Sequence, residues 1–113
     1  MPRYVLEIED RPIAIFDASD PVGAQAVVAS TWIREALRDT ESNGNPILAG
    51  RHLLHFRPAV GEEERKWHVE QSRRNVEFGV DEDHGLFVYL VPIQAGYQSF
   101  NFHRVQNTPG GTE

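Results

Sequence analysis

Asp20-Pro21 opens a stretch in which Val22, Ala26, Ala29, Ile33, Ala36 and Leu37 recur at helical spacing, and Ser42-Asn43-Gly44-Asn45-Pro46 closes it. No other feature of the chain constrains its fold as strongly. An aspartate at a helix start accepts hydrogen bonds from backbone N–H groups that have no intrahelical partner. Proline at the first helical position gives up an N–H that would be unpaired anyway. Gly44 can take the left-handed conformation that ends helices. Gln25, Arg34, Arg38 and Asp39 lie off the stripe, and Trp32 falls at its edge. The spacing predicts one long helix over about 21–40 with an apolar face that something else must cover.

The flanking segments supply that cover. Tyr4, Leu6 and Ile8 alternate with Val5, Glu7 and Glu9, the period of a half-buried strand. Asp10-Arg11-Pro12 reads as a turn and Ile13-Ala14-Ile15-Phe16 as a second strand, which together predict an N-terminal hairpin. His52, Leu54 and Phe56 alternate towards Pro58, a third strand. Val76, Phe78 and Val80 alternate as well, and Asp81-Glu82-Asp83-His84-Gly85 reads as the turn between them and Leu86 to Val91. The unbroken apolar run Leu86-Phe87-Val88-Tyr89-Leu90-Val91 is the pattern of an interior strand covered on both faces. Ser99 to Val105 adds a last strand with Phe100 and Phe102 on one face.

Residues 61–74 carry Glu62, Glu63 and Glu64 at the front and Arg73 and Arg74 at the back, the order that suits a helix dipole. Their apolar stripe is little more than Val60 and Trp67, and a strand through Trp67 and Val69 competes with the helix. The expected fold is therefore α+β. A mostly antiparallel sheet of about five to six strands carries the 21–40 helix on one face, with a second short helix at about 61–74. Residues 1–105 form one domain, and 106–113, with Pro109-Gly110-Gly111, form a flexible C-terminal tail. A sheet of this kind has an open edge, so a homodimer paired through a sheet edge is expected.

The chain has 113 residues, the size of one domain. It contains no cysteine, which excludes a disulfide framework, thiolate metal sites and a cysteine nucleophile. The opening residues run straight into strand pattern without the apolar stretch of a signal peptide, and no run approaches the length of a membrane span. These features predict a soluble cytoplasmic protein with no membrane association.

Net charge is −6 and unevenly spread. Residues 1–50 hold four arginines against eight acids, and 75–113 hold Arg104 against five acids. Residues 51–74 reverse the sign, with five arginines and Lys66 against four glutamates. The acidic balance argues against a nucleic-acid partner, since phosphate neutralisation supplies most of the affinity of such binders.

That basic segment holds the candidate site. Trp67 stands among Arg57, Arg65, Lys66, His68 and Arg73, the make-up of a protein-interaction hot spot. The competing role for Trp67 is to plug the end of the sheet. For Arg65 and Lys66 the competing role is a solvated helix face, with Glu62 and Lys66 paired at i,i+4. The leading expectation is a non-enzymatic module, an accessory subunit or regulator that works by binding a protein partner. The alternative is a metal-independent nuclease or phosphodiesterase using His55 and His68 as acid and base with Arg57 and Arg73 on the phosphate.

Other motifs fall short. His52 and His55 are three apart, which on a strand places them on opposite faces, so no metal is expected there. Counted as a calcium loop from Asp81, the sixth position is Leu86 and the twelfth Pro92, so that motif fails. The glycines form no phosphate-binding motif and no serine lies in a nucleophile elbow. No catalytic residue, cofactor or metal ligand is expected.

Overall fold

The computed structural model describes residues 2–50, 52–79, 84–94 and 98–103. Residues 81–83 of the turn expected at 81–85, and the tail expected at 106–113, lie outside the described residues.

Strands β1 (Arg3–Ile8) and β2 (Arg11–Asp17) form the expected N-terminal hairpin. Its turn is Glu9-Asp10 rather than Asp10-Arg11-Pro12, with both residues in the left-handed region at φ 51° and 65°. Two positive-φ residues match the twist of the strands they join. The register skips Ile13 between the pairs Leu6–Ala14 and Glu7–Pro12, a β-bulge. Strand β5 (Leu54–Pro58) pairs with β1, β6 (His84–Tyr89) with β2, and β7 (Ser99–His103) with β6. The result is a five-stranded antiparallel sheet in the order β5-β1-β2-β6-β7. The apolar run expected to be an interior strand is one, with β2 and β7 on its two sides.

The long helix is divided. Helix α1 spans Pro21–Ala29 and α2 spans Thr31–Asp39. Asp20 accepts from the Gly23 N–H at 2.8 Å, as the capping argument requires. The break falls at Ser30, whose backbone is extended (ψ 147°) and whose N–H and hydroxyl both donate to the Val27 carbonyl. Serine and threonine side chains compete for helical backbone groups, and Ser30-Thr31 sits where the stripe changes phase. Val22 and Ala29 are exposed, while Ala24, Val27 and Val28 are buried in α1 and Ile33 and Leu37 in α2. Asn43-Gly44 does not cap the helix. It forms the left-handed tip of a small hairpin between β3 (Glu41–Ser42) and β4 (Asn45–Pro46).

Residues 61–78 are helix, and this excludes the strand through Trp67 and Val69. Helix α3 (Gly61–Phe78) also takes in Val76 and Phe78, which were expected to alternate in a strand. Their period is that of a strand, but the helix before them continues and both remain exposed. Gly85 belongs to β6 rather than to a turn, opposite Phe102 in β7. A β-carbon there would lie 2.3 Å from the Phe102 ring, so the ring lies over a bare backbone.

The sheet is covered on both faces. Leu6, Phe16, Phe87 and Phe102 pack with Ala24, Val27, Ile33 and Leu37 of α1 and α2. The alternate residues Val5, Ile15, Leu86 and Val88 pack with Trp67 of α3. Glu7, expected on a solvated face, lies beneath the start of α3 for the same reason. Among the described residues no helix is long and apolar enough to cross a membrane.

Candidate functional site

Helix α3 meets the sheet along a seam that is mostly polar. Trp67 is its apolar centre, 3% exposed, and its indole N–H donates to the Leu86 carbonyl at 3.0 Å. The Arg3 guanidinium lies over the indole, 5.2 Å from the ring centroid, and donates to Glu64. One turn earlier, Arg57 of β5 binds Glu63 through two N–H groups at 3.0 and 2.7 Å and Glu7 through a third at 2.8 Å. Glu63 also accepts from the Val60 N–H, which closes the start of the helix. Towards the other end, Glu70 accepts from the Ser99 hydroxyl, and Arg74 donates to Asn101 at 2.7 and 3.1 Å.

These pairs shift the proton affinities of their members. The Arg57 guanidinium holds Glu63 below the ordinary glutamate range, against the opposing effect of burial. Glu63 and then Glu7 raise Arg57 in turn. Glu70 is lowered chiefly by Arg73, with the Ser99 hydroxyl adding to the effect. Tyr89 is raised by burial, which outweighs the Thr40 hydroxyl beside it.

The six residues expected to make one site separate into four groups. Trp67 is buried core and takes the structural role, because the sheet beneath α3 offers it the cleft over Val5, Ile15 and Val88. Arg57 and Arg73 are held by carboxylates, Arg57 by Glu7 and Glu63 and Arg73 by Glu70 and Glu77. Arg73 stands ten residues beyond Glu63 on the same helix, roughly 15 Å along its axis, so the two arginines do not converge on one phosphate. His68 is exposed, its ring edge-on to Trp67, and His55 is exposed on β5. His52 precedes β5 and approaches Glu9 at 3.7 Å. Among the described residues no group of three or more His, Asp or Glu side chains is placed to hold a metal.

Arg65 and Lys66 remain together and exposed. The expected Glu62–Lys66 pair is not formed, and among the described residues neither cation makes a salt bridge. Both border a groove of about 440 Å³ between α3 and the end of β6. Val69, Val88, Leu90, Val91 and Pro92 supply its apolar lining. Glu70 is taken by Arg73 and Ser99, and the Gln98 amide donates to the Tyr89 and Val91 carbonyls. The groove opens onto the outward side of α3, where Val69 is 65% and Val76 90% exposed. Seven residues apart, these two valines stand on one helix face.

The apolar lining was missed in the sequence because Leu90, Val91 and Pro92 read as the tail of a buried strand. In fact β6 ends at Tyr89, and the residues after it turn along the groove. The signal that pointed here was the adjacent pair Arg65-Lys66 followed by Val69. The chain matches no family model, no curated protein and no solved structure.

Proposed function

We propose that this protein is a non-enzymatic interaction module whose partner, another protein, docks on the outward side of α3 and the groove beside it. One observation carries the reading. Val69 is an exposed apolar side chain at the lip of an apolar groove, and Val76 is exposed two turns further along the same side of α3, away from the Trp67 contact with the sheet. Exposed apolar surface of this kind, rimmed by charge, marks interaction sites. The cations drawn towards phosphate chemistry in the sequence, Arg57 and Arg73, are neutralised by carboxylates, which supports binding over catalysis. A cytoplasmic setting accompanies the reading, since a chain without cysteine keeps its fold under reducing conditions.

The test is a comparative capture from the native host. The tagged wild type, the double variant Val69→Asp/Val76→Asp and the single variant Val22→Asp are used side by side, Val22 being an exposed position on α1. The wild type and the Val22 variant retain one stoichiometric protein and the double variant loses it. Equal retention by all three, with each variant folded by circular dichroism, overturns the reading.

A second, compatible reading rests on the strand order, which among the described residues leaves β5 and β7 with one neighbour each. Two copies can pair through such an edge. Light scattering across a concentration series tests it, and a monomer at every concentration rejects it.

A further inference from the structure

We infer that the segment received by the groove is an acidic, apolar peptide stretch of the partner, its carboxylates on Arg65 and Lys66 and its apolar side chains against Val88, Leu90 and Val91. This rests on the reading of α3 as a docking face and adds the chemistry of what docks. The argument is charge complementarity within the groove. Its lining is apolar, and a ligand must bring apolar surface to displace water from it. The Gln98 amide engages the Tyr89 and Val91 carbonyls, and Glu70 is bound by Arg73 and Ser99. A carboxylate finds two exposed positive charges there, Arg65 and Lys66.

The global charge makes this a sharp claim. A chain of net charge −6 attracts basic peptides at long range and repels acidic ones. A preference for acid must therefore come from the local pair, and removing the pair must reverse it. The groove is also open along the helix rather than enclosed, and it continues into Val69. An extended segment fits that shape better than a compact small molecule does.

The probes are three labelled twelve-residue peptides: one of leucine and glutamate, one with lysine in place of each glutamate, and one with serine in place of each leucine. Fluorescence anisotropy is read against the full chain, its Arg65→Glu/Lys66→Glu variant and its Val69→Asp variant. The leucine–glutamate peptide binds the wild type tightest, by roughly threefold to tenfold over the other two, the effect of two exposed ion pairs. Arg65→Glu/Lys66→Glu inverts the preference towards the lysine peptide. Val69→Asp weakens the leucine–glutamate peptide, and raising the salt narrows the difference between peptides. Equal or tighter binding of the lysine peptide by the wild type overturns the inference. So does an unchanged preference in the charge-reversed variant. Saturable binding of decanoate without binding of any peptide also overturns it, because the groove then takes a small amphiphile. The two claims separate cleanly: capture lost in Val69→Asp/Val76→Asp with no acid preference among peptides leaves the docking face standing and removes only the acidic segment.

Discussion

The two faces of the sheet are covered by different physics. On the α1 and α2 face, sixteen described residues form one buried apolar cluster, including stacked Phe16 and Phe87 and the tilted ring of Tyr4. On the α3 face only five do, and Trp67 is the single one contributed by the helix. The rest of that contact is Arg57 with Glu63, Arg3 with Glu64, Glu70 with Ser99 and Arg74 with Asn101. Apolar contact is neither screened by salt nor titrated by pH, whereas ion pairs are weakened by screening and by protonation of their carboxylates. The difference teaches that α3 is fastened at points rather than along its length. A helix fastened that way has its remaining surface free for another molecule.

The comparison can be broken at its strongest point first. Replacing Trp67 by Ala removes the one buried apolar anchor of α3 among the described residues and costs about 3–5 kcal/mol, measured by denaturant unfolding. Trp67→Phe keeps most of the packing, loses the bond to the Leu86 carbonyl and costs about 1–3 kcal/mol. A Trp67→Ala cost below about 1 kcal/mol contradicts the role given to the indole.

Next in size is Gly85→Ala. Its new methyl meets the Phe102 ring on the α1 and α2 face and costs about 1–3 kcal/mol. Adding Phe102→Ala to it recovers part of that cost if the clash is the cause, and a double-mutant cycle reads the coupling directly.

A smaller effect isolates the charged seam. Glu63 and Glu70 have native pKa values below their ordinary value of 4.5. Between those native values and the ordinary one, the unfolded chain binds more protons than the native one. Their contribution is thus complete above about pH 4.5 and declines as the pH falls further. In a Trp32→Phe background, Trp67 emission reports the loss of the α3 contact on acidification. Glu63→Gln removes the paired charge, lowers stability by about 1 kcal/mol at neutral pH and flattens this acid response.

The smallest effect is the most informative about function. Val76→Asp on the free side of α3 leaves stability within about 0.5 kcal/mol. A larger loss would mean that this surface is not free.

The two faces also differ in how far they could be read from sequence. The α1 and α2 side was legible in part: Ile33 and Leu37 of the expected stripe are buried with alternating Leu6, Phe16 and Phe87, whereas in α1 Ala24, Val27 and Val28 take the buried side in place of Val22 and Ala29. The Asp20-Pro21 start was legible for a local reason, a side chain capping its own helix. The break at Ser30 was not, because the stripe on either side of it looks continuous until α1 and α2 rotate relative to each other. The α3 side resisted for a deeper reason. Its contacts join Arg57 to Glu7 and Arg74 to Asn101, pairs far apart in sequence, and charge carries no period from which such pairs can be predicted. Glu7 and Glu63 looked solvated, and Trp67 stood between an interaction hot spot and a plug for the end of the sheet, until the fold placed one layer over the other. Of the expected site, Arg65 and Lys66 share the groove beside α3, and among the described residues neither makes a salt bridge.

Native-state hydrogen exchange, resolved by residue and repeated at low and high salt, tests most directly whether one face is held by apolar contact and the other by charge. The amides of α3 are predicted to exchange through an opening of lower free energy than those of β1, β2 and β6, with protection that falls as salt rises, while the sheet amides exchange only with global unfolding. Equal protection in α3 and in the sheet, unchanged by salt, would contradict the account.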